Sequence, residues 1–195
     1  AGCALQRGWQ PRPGAAPPAP GLLADVRIEV QPDGSLRVNG QAPGPLNTDA
    51  ISQATSVLST LGEVRALSNR VQRDTVAALA RAGHFPGVIL EGRDIGTVVF
   101  PAAAHKFFVT ASTAVRARRR FRELAGSDPA LTLEAVTQAL AERDRRDAER
   151  ALAPLKPATD AVLVDTSELT LDEVVARLAA AVQGEAPGPP PVTRT

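Results

Sequence analysis

Tyrosine and methionine are absent from this sequence, and tryptophan and cysteine occur once each. With only five phenylalanines beside Trp9, there are too few rings to build a platform on which the bases of a single strand could stack. The lone cysteine, Cys3, makes no internal disulfide, which fits a reducing, cytoplasmic compartment. It has no base nearby in sequence, so it reads as a plain thiol rather than a nucleophile. His84 and His105 stand apart and make no metal site. No apolar run reaches membrane-spanning length and no basic stretch leads into an apolar one, so a soluble, unexported chain without a membrane partner is expected. A dominant charge is missing too: 22 basic and 21 acidic residues leave +1, too little for an overall field that demands nucleic acid. The missing methionine also fits a chain whose true N-terminus lies upstream of Ala1.

What is present suits a folded α/β protein. Hydrophobic residues make up 44% of the 195 and charged residues 22%, enough for one domain or a core with a small insert. Lys106 and Lys156 are the only lysines, so nearly every cation is an arginine fork of the kind that grips phosphate. Residues 10–21 are rich in Pro, Gly and Ala and read as a linker behind a short leading piece. Val26, Ile28 and Val30 alternate with polar residues, Pro32-Asp33-Gly34 turns the chain, and Leu36 and Val38 resume the alternation, which predicts a β-hairpin. Asn47-Thr48-Asp49 caps a helix to about Thr60, and a second helix runs from about Glu63 to Ala82, where Gly83 closes it. Thereafter the apolar runs 88–90, 107–109 and 161–164 read as buried strands. Helices at about 112–125, 132–150 and 170–183 separate or follow them. That order predicts a parallel sheet covered by helices. The tail 184–195 is proline-rich and reads as disordered.

Three charged constellations stand out. Glu91-Gly92-Arg93-Asp94-Ile95-Gly96-Thr97 follows the run 88–90, and ligands of parallel α/β sheets bind beyond the carboxyl ends of strands. Its glycines admit a ligand close to the backbone, Arg93 can clamp a phosphate and Asp94 can accept hydrogen bonds; a structural Arg/Asp pair at a strand end is the alternative. In ERDRRDAER, residues 142–150, Arg143, Asp147 and Arg150 share one helical face with Arg146 close by, which is either a site or a solvated helix laced by ion pairs. Arg116, Arg119 and Arg120 are i, i+3 and i+4 neighbours whose repulsion a polyphosphate would relieve, with RNA binding or plain solvation as the alternatives.

In this order, EGRDIGTVVFP at 91–101, FFVTAS with its ARRR helix, ERDRRDAERALAPL at 142–155 and DAVLVDTSELTLDEVV at 160–175 resemble the bacterial cytidylate kinases over about residues 22–183. The resemblance implies a P-loop nucleoside monophosphate kinase-like fold: a parallel sheet, a small β-rich nucleotide-binding insert at 22–62, and a core at 63–183. An arginine-rich helical lid would lie at about 113–155. It implies transfer of the ATP γ-phosphoryl group to CMP or dCMP, with Mg2+ accompanying ATP, in a cytoplasmic monomer. Ser56, Arg65 and Asp94 are similar to residues that read the cytosine edge, which needs a carboxylate beside an arginine. Asp147 and Arg143 resemble ribose and lid contacts, Arg150 a further nucleotide contact and Arg93 a clamp on the acceptor phosphate. Arg119, with Arg116 and Arg120, resembles the lid arginines that meet ATP. Catalytic roles thus fall to Arg93, Arg119 and Arg143, and no protein residue is assigned to metal.

The family's first strand, its glycine-rich phosphate loop ending in Gly-Lys-Gly-Thr and a Tyr-Arg acceptor segment have no counterpart in these residues. Neither lysine stands in a G-x-x-x-x-G-K context. An incomplete sequence of an ordinary kinase, inactive by itself, is the expectation. A truncated product, a non-catalytic nucleotide- or RNA-binding relic, and another kinase of the same fold are the alternatives.

Overall fold

The computed structural model describes residues 21, 25–31, 35–44, 49–126 and 130–184. The leading segment, most of the proline-rich linker, the turn at Pro32-Asp33-Gly34, the cap at Asn47-Thr48 and the tail beyond Gly184 lie outside these residues. The described chain divides into two units. One runs to Gly92 and includes Arg150–Pro154; the other holds Arg93–Glu149 and the chain from Leu155.

In the first unit, strands β1 (Ile28–Val30) and β2 (Leu36–Val38) pair antiparallel with Ile28 opposite Val38 and Val30 opposite Leu36. The alternation Ile28, Val30 sets this register because a one-residue slip would turn every apolar side chain over. Beyond β2, Asn39 and Gly40 take positive φ of 51° and 78°, and the Asn39 side chain accepts from the Arg27 amide at 2.8 Å. Asn and Gly are the residues that tolerate this geometry. Helix α1 (Asp49–Leu58) buries Ala54 and Leu58, which stand i, i+4 on one face. Helix α2 (Gly62–Ala82) ends at Gly83, whose φ of 67° is the left-handed closure that favours glycine.

The run Val88–Leu90 departs from expectation. It belongs to no strand, and Ile89 is 99% exposed. An apolar β-branched run becomes a strand only when a neighbour satisfies its backbone groups, and among the described residues none does.

The second unit begins with a π-helical turn, Ile95–Val99, followed by strand β3 (Phe107–Thr110), helices α3 (Thr113–Leu124) and α4 (Leu133–Glu149), strand β4 (Val162–Asp165) and helix α5 (Leu171–Val182). Strands β3 and β4 pair in parallel, Phe107 with Val162 through Thr110 with Asp165, and the crossover between them carries α3 and α4, which pack on each other. Val99, Ala111, Ala117, Val136 and Val164 are the buried apolar residues of this unit. Ser112 caps α3 by accepting from the Val115 amide, and its own amide donates to the Ser167 hydroxyl at 2.8 Å. Helix α5 opens on a reciprocal cap in which the Thr170 hydroxyl accepts from the Glu173 amide while the Glu173 carboxylate accepts from the Thr170 amide.

Those bonds from the Thr170 amide and hydroxyl hold the Glu173 carboxyl below its ordinary value, and bonds from Ser167 do the same to Asp165. A lowered folded-state value means that the stabilisation is present above the ordinary carboxylate range and is lost as pH falls through the lowered value. Thr170→Ala should cost about 1 kcal/mol in urea denaturation at neutral pH. The gap between parent and variant should narrow on acidification below the ordinary range of Glu.

Candidate functional site

The chemistry of the second unit centres on Asp147. Helix α4 presents this carboxylate inward, 4% exposed, where the Arg93 Nε lies 3.1 Å and the Arg143 Nε 3.9 Å from its Oδ2. Arg143 stands one helical turn before Asp147, so its closeness follows from i, i+4 spacing; Arg93 comes from the turn ahead of Ile95 and must be brought by the tertiary fold. Burial lowers the Arg143 guanidinium from its ordinary value. Arg93 pushes the same way, Asp147 opposes, Arg120 adds to the lowering and Asp144 opposes more weakly. An arginine so treated stays charged. The one buried carboxylate thus answers two guanidinium groups.

The same helix has a second, solvated face. Arg145 spans Glu142 at 3.0 Å and Glu149 at 3.1 Å, and Arg146 lies 3.8 Å from Glu142. The 142–150 motif therefore divides around α4: Asp147 is buried with Arg143 half-covered beside it, Arg145 lies on the exposed, ion-paired side, and Arg146 is as covered as Arg143. Arg150 lies just past the helix, in the first unit, where its Nε donates to the Ala153 carbonyl across a tight turn with Ala153 at φ 49°.

The spacing of Arg116, Arg119 and Arg120 on α3 predicts a mutually repelling cluster, and each of the three instead has a partner. Arg116 donates twice to Asp144 of α4, at 3.0 and 2.6 Å, and also to the Ala111 carbonyl and the Thr113 hydroxyl. Arg119 donates to the Thr166 hydroxyl at 3.0 Å and the Thr166 carbonyl at 2.7 Å; Arg120 pairs with Glu123 at 3.1 Å. Thr166 is itself buried and donates from both amide and hydroxyl to the Thr110 carbonyl, so Arg119 ties α3 to the carboxyl ends of β3 and β4. The repulsion is relieved from three sides: α4 packed on α3 supplies Asp144 to Arg116, Thr166 takes Arg119, and Glu123 within α3 takes Arg120.

Asp94 heads the π turn: its carbonyl accepts from the Val98 amide at 2.9 Å and the Val99 amide at 3.2 Å. Turns of this kind inside or beside helices recur at functional sites. Ser56 and Arg65 belong to the first unit, Ser56 buried in α1 and Arg65 in the first turn of α2, where it donates to the Ser59 carbonyl at 3.5 Å. Among the described residues the Ser56 hydroxyl has no hydrogen-bond partner. Three contributors escape sequence reasoning. Asp144, Thr166 and Lys106 act across elements, and only Asp144 carried a signal, its place inside the 142–150 motif.

No group of three or more His, Cys, Asp or Glu among the described residues is placed to hold a metal ion. No helix among them is long and apolar enough to cross a membrane.

Arginine forks from a loop and a helix meet at one buried carboxylate in an α/β protein with parallel strands, an arrangement suited to anionic ligands. Comparison with known proteins narrows the class. Residues 20–184 match the family model described as cytidylate kinase. The chain is 45% identical over 170 residues to the cytidylate kinase of Azorhizobium caulinodans, covering 87% of this chain and 80% of that one. It is 44% identical over 167 residues to that of Geobacter sulfurreducens, covering 84% and 69%. To that of Nocardia farcinica it is 49% identical over 138 residues, covering 69% and 55%. The chain belongs to the cytidylate kinase family, nucleotide phosphotransferases of the P-loop kinase fold.

The two aspartates of α4 differ in what they hold. Asp144→Ala should cost about 1 kcal/mol, because the Arg116 pair is a third exposed, and Arg116→Lys, which keeps the charge but not the fork, should cost nearly as much. Asp147→Ala leaves Arg93 and Arg143 facing each other with no carboxylate and should cost more, roughly 2–3 kcal/mol. Denaturant unfolding at low and high salt measures both.

Proposed function

We propose that this chain supplies the nucleotide-gripping arginines of an enzyme that passes the γ-phosphoryl group of ATP to CMP or dCMP. The observation that carries the reading is the Arg93–Asp147–Arg143 cluster, two guanidinium groups at one buried carboxylate, in a member of the cytidylate kinase family. In the transfer, an oxygen of the acceptor phosphate bonds to the γ-phosphorus as the bond to the bridging oxygen breaks, and ADP leaves with that electron pair. The reaction asks for positioning and positive charge, which arginines on separate elements provide.

In this reading Arg93 clamps the acceptor phosphate. Arg143 and Asp147 hold the sugar side of CMP with Arg150 as a further contact, and Asp94, Arg65 and Ser56 read the base. Arg119, with Arg116 and Arg120, exchanges its present partners for the phosphates of ATP. Magnesium fits as an ion brought by ATP, since it is held chiefly by phosphate and water. These 195 residues contain no G-x-x-x-x-G-K, so the chain by itself is proposed to bind CMP without turning it over. Near-zero net charge supports nucleotides rather than nucleic acid or an anionic membrane as partners, the lone cysteine fits the cytoplasm, and the family resemblance points to a monomer.

Calorimetric titration of the 195-residue chain tests the reading. CMP should bind about ten- to a hundredfold tighter than UMP, because a carbonyl replacing the cytosine amine leaves Asp94 facing an acceptor, at a cost of roughly 1–3 kcal/mol. Asp94→Asn should shrink that ratio, since an amide can turn a donor to uracil, whereas Arg93→Ala should weaken both nucleotides alike. Equal binding of CMP and UMP by the parent, or a ratio unchanged in Asp94→Asn, would remove Asp94 from the base.

A further inference from the structure

Lys106 is one of two lysines in a chain that otherwise uses arginine, and no part of the reading above employs it. It stands immediately before β3, where its carbonyl accepts from the Val162 amide at 2.9 Å and so begins the pairing with β4. Its side chain is only 7% exposed, yet its ammonium reaches Asp160, a residue 63% exposed, at 2.5 Å. The charge is thus delivered to the wet side while the four-carbon stem stays covered.

The stem lies against Gly96, the second residue of the π turn. A methyl group placed on Gly96 would stand 3.2 Å from Lys106 Cδ, 3.4 Å from Cγ and 3.7 Å from Cβ, tighter than an ordinary carbon contact of about 3.5–4.0 Å. A methyl at 96 would thus press the lysine stem back by a few tenths of an ångström, so what distinguishes glycine here is this side-chain contact rather than a left-handed φ. The turn that Gly96 occupies closes on the Asp94 carbonyl through the Val98 and Val99 amides and the Thr97 hydroxyl, and Arg93 and Asp94 enter directly from it. A continuous path of contacts runs from Asp160 through the lysine stem to Gly96, and from the turn to the Arg93 bond with Asp147.

We propose that Lys106 is a positioning residue whose unbranched stem seats the Ile95–Val99 turn and thereby places Arg93 and Asp94 for the acceptor nucleotide. The consequence for the nucleotide rests on the function proposed above; the seating of the turn does not.

Two measurements on the full chain separate these layers. Hydrogen exchange of the Val98 and Val99 amides reads the turn itself. Lys106→Ala should speed it about tenfold while Lys106→Met, which keeps an unbranched stem without the charge, should leave it within about threefold of the parent. CMP titration reads the consequence: about tenfold weaker binding in Lys106→Ala, near-parental binding in Lys106→Met. Gly96→Ala should weaken CMP in the parent background but add nothing to Lys106→Ala, where the methyl finds room. A loss of global stability alone would lower the melting point without this amide pattern or this coupling. Unchanged Val98 and Val99 exchange in Lys106→Ala overturns the positioning role whether or not CMP binds. Failure of the parent to bind CMP overturns the proposed function and the nucleotide consequence, and the exchange result still decides the seating of the turn.

Discussion

A buried carboxylate facing two arginines is the constraint from which the second unit is organised. Asp147 is almost wholly removed from water, and a charge in that position must be answered by opposite charge or hydrogen bonds. Arg143 answers from the same helix and Arg93 from the turn before Ile95, so satisfying one side chain fixes α4 and the Arg93–Asp94 turn relative to each other. The backbone carbonyl of Asp147 also accepts from the Leu155 amide at 2.7 Å, which ties the chain returning toward β4 to the same residue.

Around that centre the arginines of α3 work as struts. The Arg116 fork on Asp144 joins α3 to α4, and the Arg119 fork on Thr166 joins α3 to the carboxyl ends of the parallel strands. A guanidinium has five donors in a fixed plane. That property lets one side chain hold two acceptors at once and so brace helix against helix and helix against strand.

The elements that the sequence makes legible are those whose signals are local. The helices at 113–124, 133–149 and 171–182 and the strands at 107–110 and 162–165 lie within a residue or two of the apolar periodicities that predict them, because hydrophobic spacing and caps act within one or two turns of chain. The hairpin register at Ile28 and Val30 was legible for the same reason. Val88–Leu90 was misread as a strand: its composition states a preference for extended backbone, whereas a strand also needs a partner, and partnership is not a local property. The inner pair of the 142–150 motif was legible from its i, i+4 spacing, and the family resemblance from the order of the charged motifs.

What the sequence determined by itself is which side chains were available: arginine forks in three clusters, acidic residues one helical turn from some of them, and glycines flanking Arg93 and Asp94. Only the tertiary structure decided which carboxylate meets which arginine. Asp144 and Asp147 sit three residues apart on one helix, and no propensity distinguishes them. One is claimed by Arg116 across a helix interface and the other by Arg93 from a distant turn. The same holds for the lysine stem against Gly96. Such pairings are set by packing at distances of a few ångströms between residues tens of positions apart, where the free energy depends on burial and geometry that no stretch of chain carries alone.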